Sequence, residues 1–498
     1  MSVKDAIFAG MTMGEKNGIP SYRMFIGGQW VESTNGETFE VVCPESREVV
    51  SYIAKATIDN ASKAMEAAYL ARKEMEYLSP VKRSEILRKA ALLFQAHQDE
   101  VIKRVVLETG KPISEAHHEI AAAIKRLEYA AEEAKSIKGE SIPGGTISDA
   151  GVKQTALLTR KPLGIILGIT PFNYPCFIPM SKIAPALAAG NTIVIKPASS
   201  NPSPVLYLAK FLQEAGLPDG AINVVTGEGA ELGDYLSTHP KVNMISFTGS
   251  SKVGNRIARL AGKVQLHLEL GGKCPGIVSQ KADLDLAAKE CVKGGLKFSG
   301  QRCDSLSRFL IEEKVYDKFV EKVLLEVKKW KIGEIFDEET QIGPLINESA
   351  LMKVLDLIDD AVAKGAKVSL GKEIAKDSLL MSPVVLTDVT TKMRIAWEET
   401  FGPALSLIKV KNFEEAISIA NMSEYGLDSS VFTQDIDEAM YAANHLESGT
   451  VQINAAPAHG LGNFPFGGDE ESGMGREGIG YSVYDMTKVH SIVFNPKK

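Results

Sequence analysis

Cysteine is scarce in this chain. Its 498 residues hold five, Cys43, Cys176, Cys274, Cys291 and Cys303. The number is odd and no two form a CxxC pair, which argues against a disulfide framework and for a reducing, cytoplasmic setting. HExxH is absent, and adjacent His117 and His118 lie in a helix-patterned stretch where neighbours point apart, so no metal site is expected. A basic excess is missing too: 56 Lys and Arg stand against 63 Asp and Glu, a net charge of −7. Nothing in that balance suggests a nucleic-acid partner. No apolar run approaches the roughly 20 residues that cross a bilayer. Lys4, Asp5, Glu15 and Lys16 interrupt the segment where a secretory signal would need an apolar core. No membrane association is expected.

What is present is a composition of soluble globular type, 44% hydrophobic and 24% charged. At roughly 150 residues per domain the length predicts two or three domains. Short strand-like runs over 24–26, 38–42 and 49–54 come first, and helical spacing follows over 61–75, 81–107 and 114–137. Residues 142–159, rich in Gly, Ser and Thr and then β-compatible, read as an extended arm. From Pro162 the pattern alternates. Apolar runs at 164–169, 191–195, 222–225 and 244–247 are separated by helical stretches, and the alternation resumes after residue 275. This predicts an α/β protein with two doubly wound parallel-sheet domains in series. The run 489–494 reads as a strand able to pair with another edge.

Three short stretches stand out chemically: Thr170-Pro171-Phe172-Asn173-Tyr174-Pro175, Leu268-Glu269-Leu270-Gly271-Gly272-Lys273 and Gly300-Gln301-Arg302-Cys303-Asp304. Taken alone, Cys303 reads equally as a small buried hydrophobe. Its small polar neighbours favour a nucleophile instead. Gly300 allows close backbone approach, and a nearby Arg302 guanidinium would favour the thiolate. Glu269 reads as a surface carboxylate at a strand end or as a general base. Among Leu268 and Leu270, desolvation would raise its pKa toward the working range of a base, and Gly271-Gly272 would let it swing. Asn173 is a turn residue or an amide donor to an oxyanion. Lys196-Pro197 ends a strand, where ligands bind in open α/β sheets. The loop from Phe247 through Thr248-Gly249-Ser250 to Gly254 leads from a strand into a helix and can hold a phosphate. That loop lacks GxGxxG, and a solvated lysine and a plain helix cap remain the simpler readings of these last two.

In this order, and together with Glu398-Glu399-Thr400-Phe401-Gly402-Pro403, Phe464-Pro465-Phe466-Gly467-Gly468 and Gly475-Arg476-Glu477, these stretches resemble the NAD(P)-dependent aldehyde dehydrogenase superfamily over nearly the whole chain. The similarity is greatest to archaeal-type non-phosphorylating glyceraldehyde-3-phosphate dehydrogenases and lactaldehyde dehydrogenases. The resemblance implies attack of Cys303 on an aldehyde, an oxyanion held by Asn173 and the Cys303 amide, and hydrolysis of the resulting thioester through Glu269. For the cofactor it implies Lys196 at the adenosine ribose, Gly249 and Ser250 at the pyrophosphate, and Glu399 and Phe401 at the nicotinamide ribose. Thr170, Pro171, Phe172, Ser199, Gly229 and Thr248 complete the implied set. Tyr174, Phe298, Arg302, His459 and Phe466 would line the substrate pocket.

The domains implied are a Rossmann-like cofactor domain over 1–138 and 160–274, a catalytic domain over 275–464 and a return segment over 465–484. A small β arm over 139–159 and 485–498 would join copies into a dimer or tetramer. Strict NAD enzymes of the family often carry a glutamate three residues after the lysine. Ser199 stands there, so NADP is the expected cofactor, with NAD as the alternative acceptor. The phosphate-using bacterial members place arginines near Ala122 and Ala458. Only Arg302 matches one, which favours a small hydroxyaldehyde or a semialdehyde over a phosphorylated substrate. The acid run Asp469-Glu470-Glu471, where many relatives carry a lysine, reads as a solvated loop. A coenzyme A-acylating enzyme would lack the Glu269 base. A plain thiol hydrolase would need a histidine partner in a motif, and a structural descendant would have lost the thiol.

Overall fold

Along the strand Ile165–Ile169, alternate side chains enter two different cores. Ile166 joins the one that also holds Ile193 and Met244, while Ile165 and Leu167 join the one holding Val194 and Ile245. A sheet covered on both faces follows from that alternation. In the computed structural model, which describes residues 7–374, 377–458 and 462–496, this sheet has eight strands. Five parallel strands form its centre, in the order Gln265–Glu269, Met244–Thr248, Ile165–Ile169, Thr192–Lys196 and Ile222–Val224. The chain begins this set in the middle, at Ile165–Ile169, runs outward one way and then the other. The switch point therefore lies between Ile165–Ile169 and Met244–Thr248, where doubly wound sheets open a crevice for ligands.

The second sheet has seven strands, with Cys274–Val278, Leu306–Glu312 and Ala404–Val410 parallel at its centre. It is also buried on both sides: Phe309 and Ile311 face one core, Leu310 and Ile277 the other. A third sheet pairs Thr487–Phe494 with Thr155–Pro162 along its whole length, and Glu140–Pro143 lies on the far side. This is the extended arm read between the sheets, closed by the C-terminal strand.

Two local expectations change. The helix expected over 81–107 is two, Pro80–Ala96 and Gln98–Thr109, broken where His97 leaves helical geometry at φ −122° and ψ 21°. The His97 ring packs edge-on to Phe8 and stacks on Phe211, a tertiary contact that helical spacing does not reveal. The acid run is not all loop, because Asp469–Glu470 pairs with Tyr425–Gly426 and Asp469 bonds Arg476 at 2.6 Å. No helix among the described residues is long and apolar enough to cross a membrane.

Candidate active site

A cavity of about 470 Å³ opens at the C-terminal ends of the first sheet's strands and is closed by the second. Thr170, Pro171, Phe172, Lys196, Ser199, Gly229, Thr248, Gly249, Ser250, Glu399 and Phe401 all line it, together with Asn173 and Cys303. Residues far apart in sequence converge because strand ends at a switch point face one crevice. Buried polar atoms normally have partners, yet the Thr170 and Thr248 hydroxyls are buried here with none. Ser250 is the N-cap of Ser251–Leu260 and its side chain caps no amide. Lys196 is 4% exposed and bonds only the Pro197 carbonyl, at 3.2 Å. Burial draws its ammonium down to about 8, against the pull of Glu228. Unspent hydroxyls, a helix N-terminus and a desolvated cation fit a dinucleotide's ribose and pyrophosphate. Glu399 accepts the Gly272 N–H at 3.3 Å, and the Phe401 ring meets Phe172 edge-on at 5.8 Å.

The nucleophile candidate sits at the end of a left-handed stretch. Phe298, Ser299 and Gly300 have φ of 48°, 53° and 72°, two of them non-glycine and therefore strained. Their partners hold them there. Ser299 Oγ donates to the Gly343 carbonyl at 2.8 Å, and Gln301 Nε2 donates to the Pro344 carbonyl at 3.3 Å. A Cβ on Gly300 would lie 2.3 Å from the Gly402 carbonyl oxygen, so only glycine fits. Asn173 Nδ2 donates to the Gln301 carbonyl at 3.1 Å, which places the amide beside the Cys303 loop with a second N–H to spare. Gly272 has a requirement beyond freedom of movement: a Cβ there would stand 2.5 Å from the Cys303 carbonyl oxygen.

Arg302 acts on Cys303 in the direction its position suggested, but its guanidinium is shared. Its Nη2 donates to Asp304 at 2.8 Å and to the Pro457 carbonyl at 3.0 Å. Burial would weaken its charge, but Asp304, Tyr174 and Cys303 together outweigh that and keep it a cation. The Cys303 thiol is pushed well up by burial first, then by Asp304, Cys274 and Glu269, with Arg302 the opposing influence. Without ligands, Cys303 is held as a thiol, and its proton must be removed for attack.

Glu269 is buried and lies outside the cavity lining. Its Oε1 meets His267 Nε2 at 3.0 Å, while Oε2 has no partner. Burial raises its pKa to about 7, against the hydrogen bond and charge of His267. Close by, Lys182 Nζ donates to Glu477 at 3.0 Å and to Ser246 Oγ at 3.1 Å. Burial would raise Glu477, but Lys182, His267 and Arg126 together draw it down to about 2. The sequence reading missed this cluster. Its signals were a lysine inside the apolar helix Phe177–Ala188 and a histidine two residues before Glu269, hence on the same strand face.

The expected pocket aromatics adjoin. The Tyr174 and Phe298 rings meet edge-on at 6.1 Å, and Phe466 packs in the same core as Cys303. His459 lies outside the described residues. Behind the two rings stands Lys111, whose ammonium is 3.9 Å from the Tyr174 ring centre and 4.4 Å from that of Phe298. Lys111 is paired with buried Glu119, which also accepts the N–H groups of Cys176 at 2.8 Å and Phe177 at 3.2 Å, fixing the Asn173 loop. Lys297 is engaged by Glu115 at 3.2 Å. Arg126, one turn beyond Ala122 on the helix Ile113–Glu133, lies 4.1 Å from the Phe177 ring centre with buried Nε and Nη1 unpaired.

Comparison with known proteins matches this arrangement. The model of the aldehyde dehydrogenase family covers residues 30–492. The chain is 40% identical over 496 residues to an NADP-dependent glyceraldehyde-3-phosphate dehydrogenase of Triticum aestivum, covering 98% of this chain and 97% of the relative. It is 37% identical to a 3-sulfolactaldehyde dehydrogenase of Priestia aryabhattai, covering 96% and 98% of the two chains. The NADP complex of the NADP-dependent glyceraldehyde-3-phosphate dehydrogenase from Bacillus halodurans C-125 superposes with a TM-score of 0.93 at 38% identity, over 95% of this chain and 99% of that one. A thiol and an amide in the cavity, a buried carboxylate behind them and a doubly wound sheet beneath are thus accounted for together: the chain belongs to the aldehyde dehydrogenase family.

Proposed function

We propose that the protein oxidises a small aldehyde to its carboxylic acid, with NADP as acceptor, through a thioester on Cys303. The observation that carries this reading is the shared cavity. The thiol of Cys303 and the amide of Asn173 line the same space as the residues suited to a dinucleotide. The Cys303 thiol gives its proton to solvent water, its Sγ bonds the aldehyde carbon, and the carbonyl π electrons move onto oxygen, which takes the negative charge beside Asn173 Nδ2 and the Cys303 N–H. When bound, NADP supplies the hydride acceptor. Glu269 then takes a proton from water, whose oxygen bonds the acyl carbon as the bond to sulfur breaks. Asn173→Ala should lower kcat by ~10²–10³-fold, the usual effect of losing an oxyanion donor. A steady-state assay at saturating aldehyde reads this directly, and an unchanged kcat would remove Asn173 from the mechanism.

For the cofactor, Ser199 leaves no carboxylate of its own against a 2′-phosphate, but its Oγ donates to exposed Glu228 at 3.2 Å. Glu228 therefore stands at the edge of the ribose site and opposes a phosphate there. Glu228→Gln should raise the NADP-to-NAD ratio of kcat/KM by roughly tenfold, as expected for removing one like charge near the surface. A ratio that does not move would separate Glu228 from cofactor choice. An NADP kcat/KM a hundredfold below that for NAD would overturn the preference itself.

The substrate favoured is an unphosphorylated hydroxyaldehyde or a semialdehyde such as glyceraldehyde, lactaldehyde or succinic semialdehyde. Arg302 spends its charge on Asp304, Lys297 spends its own on Glu115, and Ala122 and Ala458 supply none. The second reading is oxidation of glyceraldehyde 3-phosphate without phosphate uptake. Relatives bearing that name and the Arg126 Nε and Nη1 groups without hydrogen-bond partners favour it. Initial NADPH formation with the phosphorylated and unphosphorylated aldehydes side by side decides between them.

A cofactor-binding unit over 1–138 and 160–274 and a catalytic unit over 275–464 belong to the same reading. So does a return over 465–484, supported by pairing of Gly473–Met474 with Gln265–Glu269. The arm strand Thr487–Phe494 leaves Val489, Val493 and Phe494 more than half exposed, which supports a dimer or tetramer built through it.

A further inference from the structure

Resting on the function proposed above, one residue outside its stated chemistry controls the base. We propose that His267 positions Glu269, holding the carboxylate away from the cavity until the thioester has formed and releasing it to activate water, and that this imidazole sets the lower pH limit of thioester hydrolysis. His267 and Glu269 are 2% and 4% exposed, two residues apart on one face of the strand Gln265–Glu269, and meet at 3.0 Å. Among the described residues no other side chain bonds this carboxylate, and Oε2 is unpaired.

The surroundings are shaped for this pair. A Cβ on Gly475, at φ 94°, would lie 2.9 Å from His267 Cδ2. One on Gly467, at φ 156°, would lie 2.8 Å from Glu269 Oε1. Two glycines with left-handed backbone thus roof the imidazole and the carboxylate, and neither admits a side chain without displacing the contact. Glu269 has one unpaired oxygen and a neighbour able to release it, whereas Glu477 is fixed by Lys182. The two buried carboxylates therefore divide: Glu477 stays ionised, and Glu269 remains available to take a proton.

The charged groups facing the pair are Glu477, Lys182 on the helix Phe177–Ala188, Arg126 on Ile113–Glu133, Asp485 at the end of Ile479–Asp485, and Cys303. Among them His267 is the largest influence keeping Glu269 ionised against burial. Removing the imidazole leaves burial to act more fully. Glu269 is then protonated at higher pH, and hydrolysis fails earlier as pH falls.

The test compares wild type, His267→Thr and His267→Gln across pH, measuring the pre-steady-state burst of NADPH and the steady rate after it. Both variants should keep a burst of one NADPH per site. In His267→Thr the acidic midpoint of the steady rate should rise by about one pH unit, so turnover falls ~10-fold at pH 6.5 and less than ~3-fold at pH 9. The glutamine, which donates a hydrogen bond without gaining charge, should fall between. A midpoint that stays in place in both variants would overturn the role of His267, as would an equal loss at every pH. Should neither variant fold, Glu269→Gln provides the second readout: the His267 ring resonances must change with this neighbour's charge, and unchanged resonances overturn the proposal. Absence of an acyl adduct on Cys303 in Glu269→Gln treated with NADP and aldehyde would instead overturn the thioester reading on which it rests.

Discussion

Cys303→Ala should form no NADPH from any aldehyde above background, a loss of at least ~10⁴-fold, on the scale of deleting a covalent nucleophile. The size follows from what remains. On the proposed mechanism the cavity should still bind dinucleotide and aldehyde, with Asn173 at the carbonyl, but no atom would be left to make the tetrahedral centre from which hydride departs. The other cysteines cannot substitute. Cys176, Cys274 and Cys291 are fully buried with thiols pushed well up by burial, and Cys43 is buried in the core beside Val41 and Ile53. Cofactor binding in the variant should persist, measured as quenching of protein fluorescence. Lost binding would mean that the substitution damaged the cavity rather than the chemistry.

Glu269→Gln should separate the two halves of the reaction. The first turnover proceeds, giving one NADPH per site, and the steady rate then falls by ~10²–10⁴-fold because no base activates water. The wild-type enzyme should show the same separation by pH. Burial raises Glu269 to about 7, so its carboxylate is ionised above that value and protonated below it. A base must be ionised to act. Hydrolysis should therefore be near its plateau at pH 8.5 and fall by about tenfold per unit as pH drops below about 7, while the burst persists. A steady rate in the glutamine variant within a few fold of wild type would assign water activation to another group. Glu477 is the nearest alternative, but it is drawn down to about 2 and committed to Lys182, which makes it a weak base.

Much of this was readable before folding, for identifiable reasons. Strand–helix alternation from Pro162 onward carries its own period, and the strand Thr192–Lys196 lies where the apolar run at 191–195 put it. Cys303, Glu269 and Asn173 were legible because each sits in a short motif whose chemistry needs that residue type. What the sequence did not reveal depends on distance in three dimensions. Arg302 opposes the rise of the Cys303 pKa as expected, but the sequence does not show that it is also bound to Asp304, two residues on. Glu228 answers the missing carboxylate at Ser199 from 29 residues away, a contact that no local pattern announces. The Lys111–Glu119 pair behind Tyr174 and the His267–Glu269 pair are likewise made by packing, and the break at His97 by aromatic contacts from Phe8 and Phe211.

The central claim is a covalent acyl-enzyme on Cys303 at the oxidation level of an acid. It is tested most directly by intact-protein and peptide mass spectrometry of Glu269→Gln after mixing with NADP and glyceraldehyde at neutral pH. The account predicts a protein heavier by the aldehyde less two hydrogens, carried on the peptide that contains Cys303, with one NADPH formed per modified chain. An unmodified Cys303 alongside sustained NADPH formation, or an adduct at the full aldehyde mass with no NADPH, would contradict it.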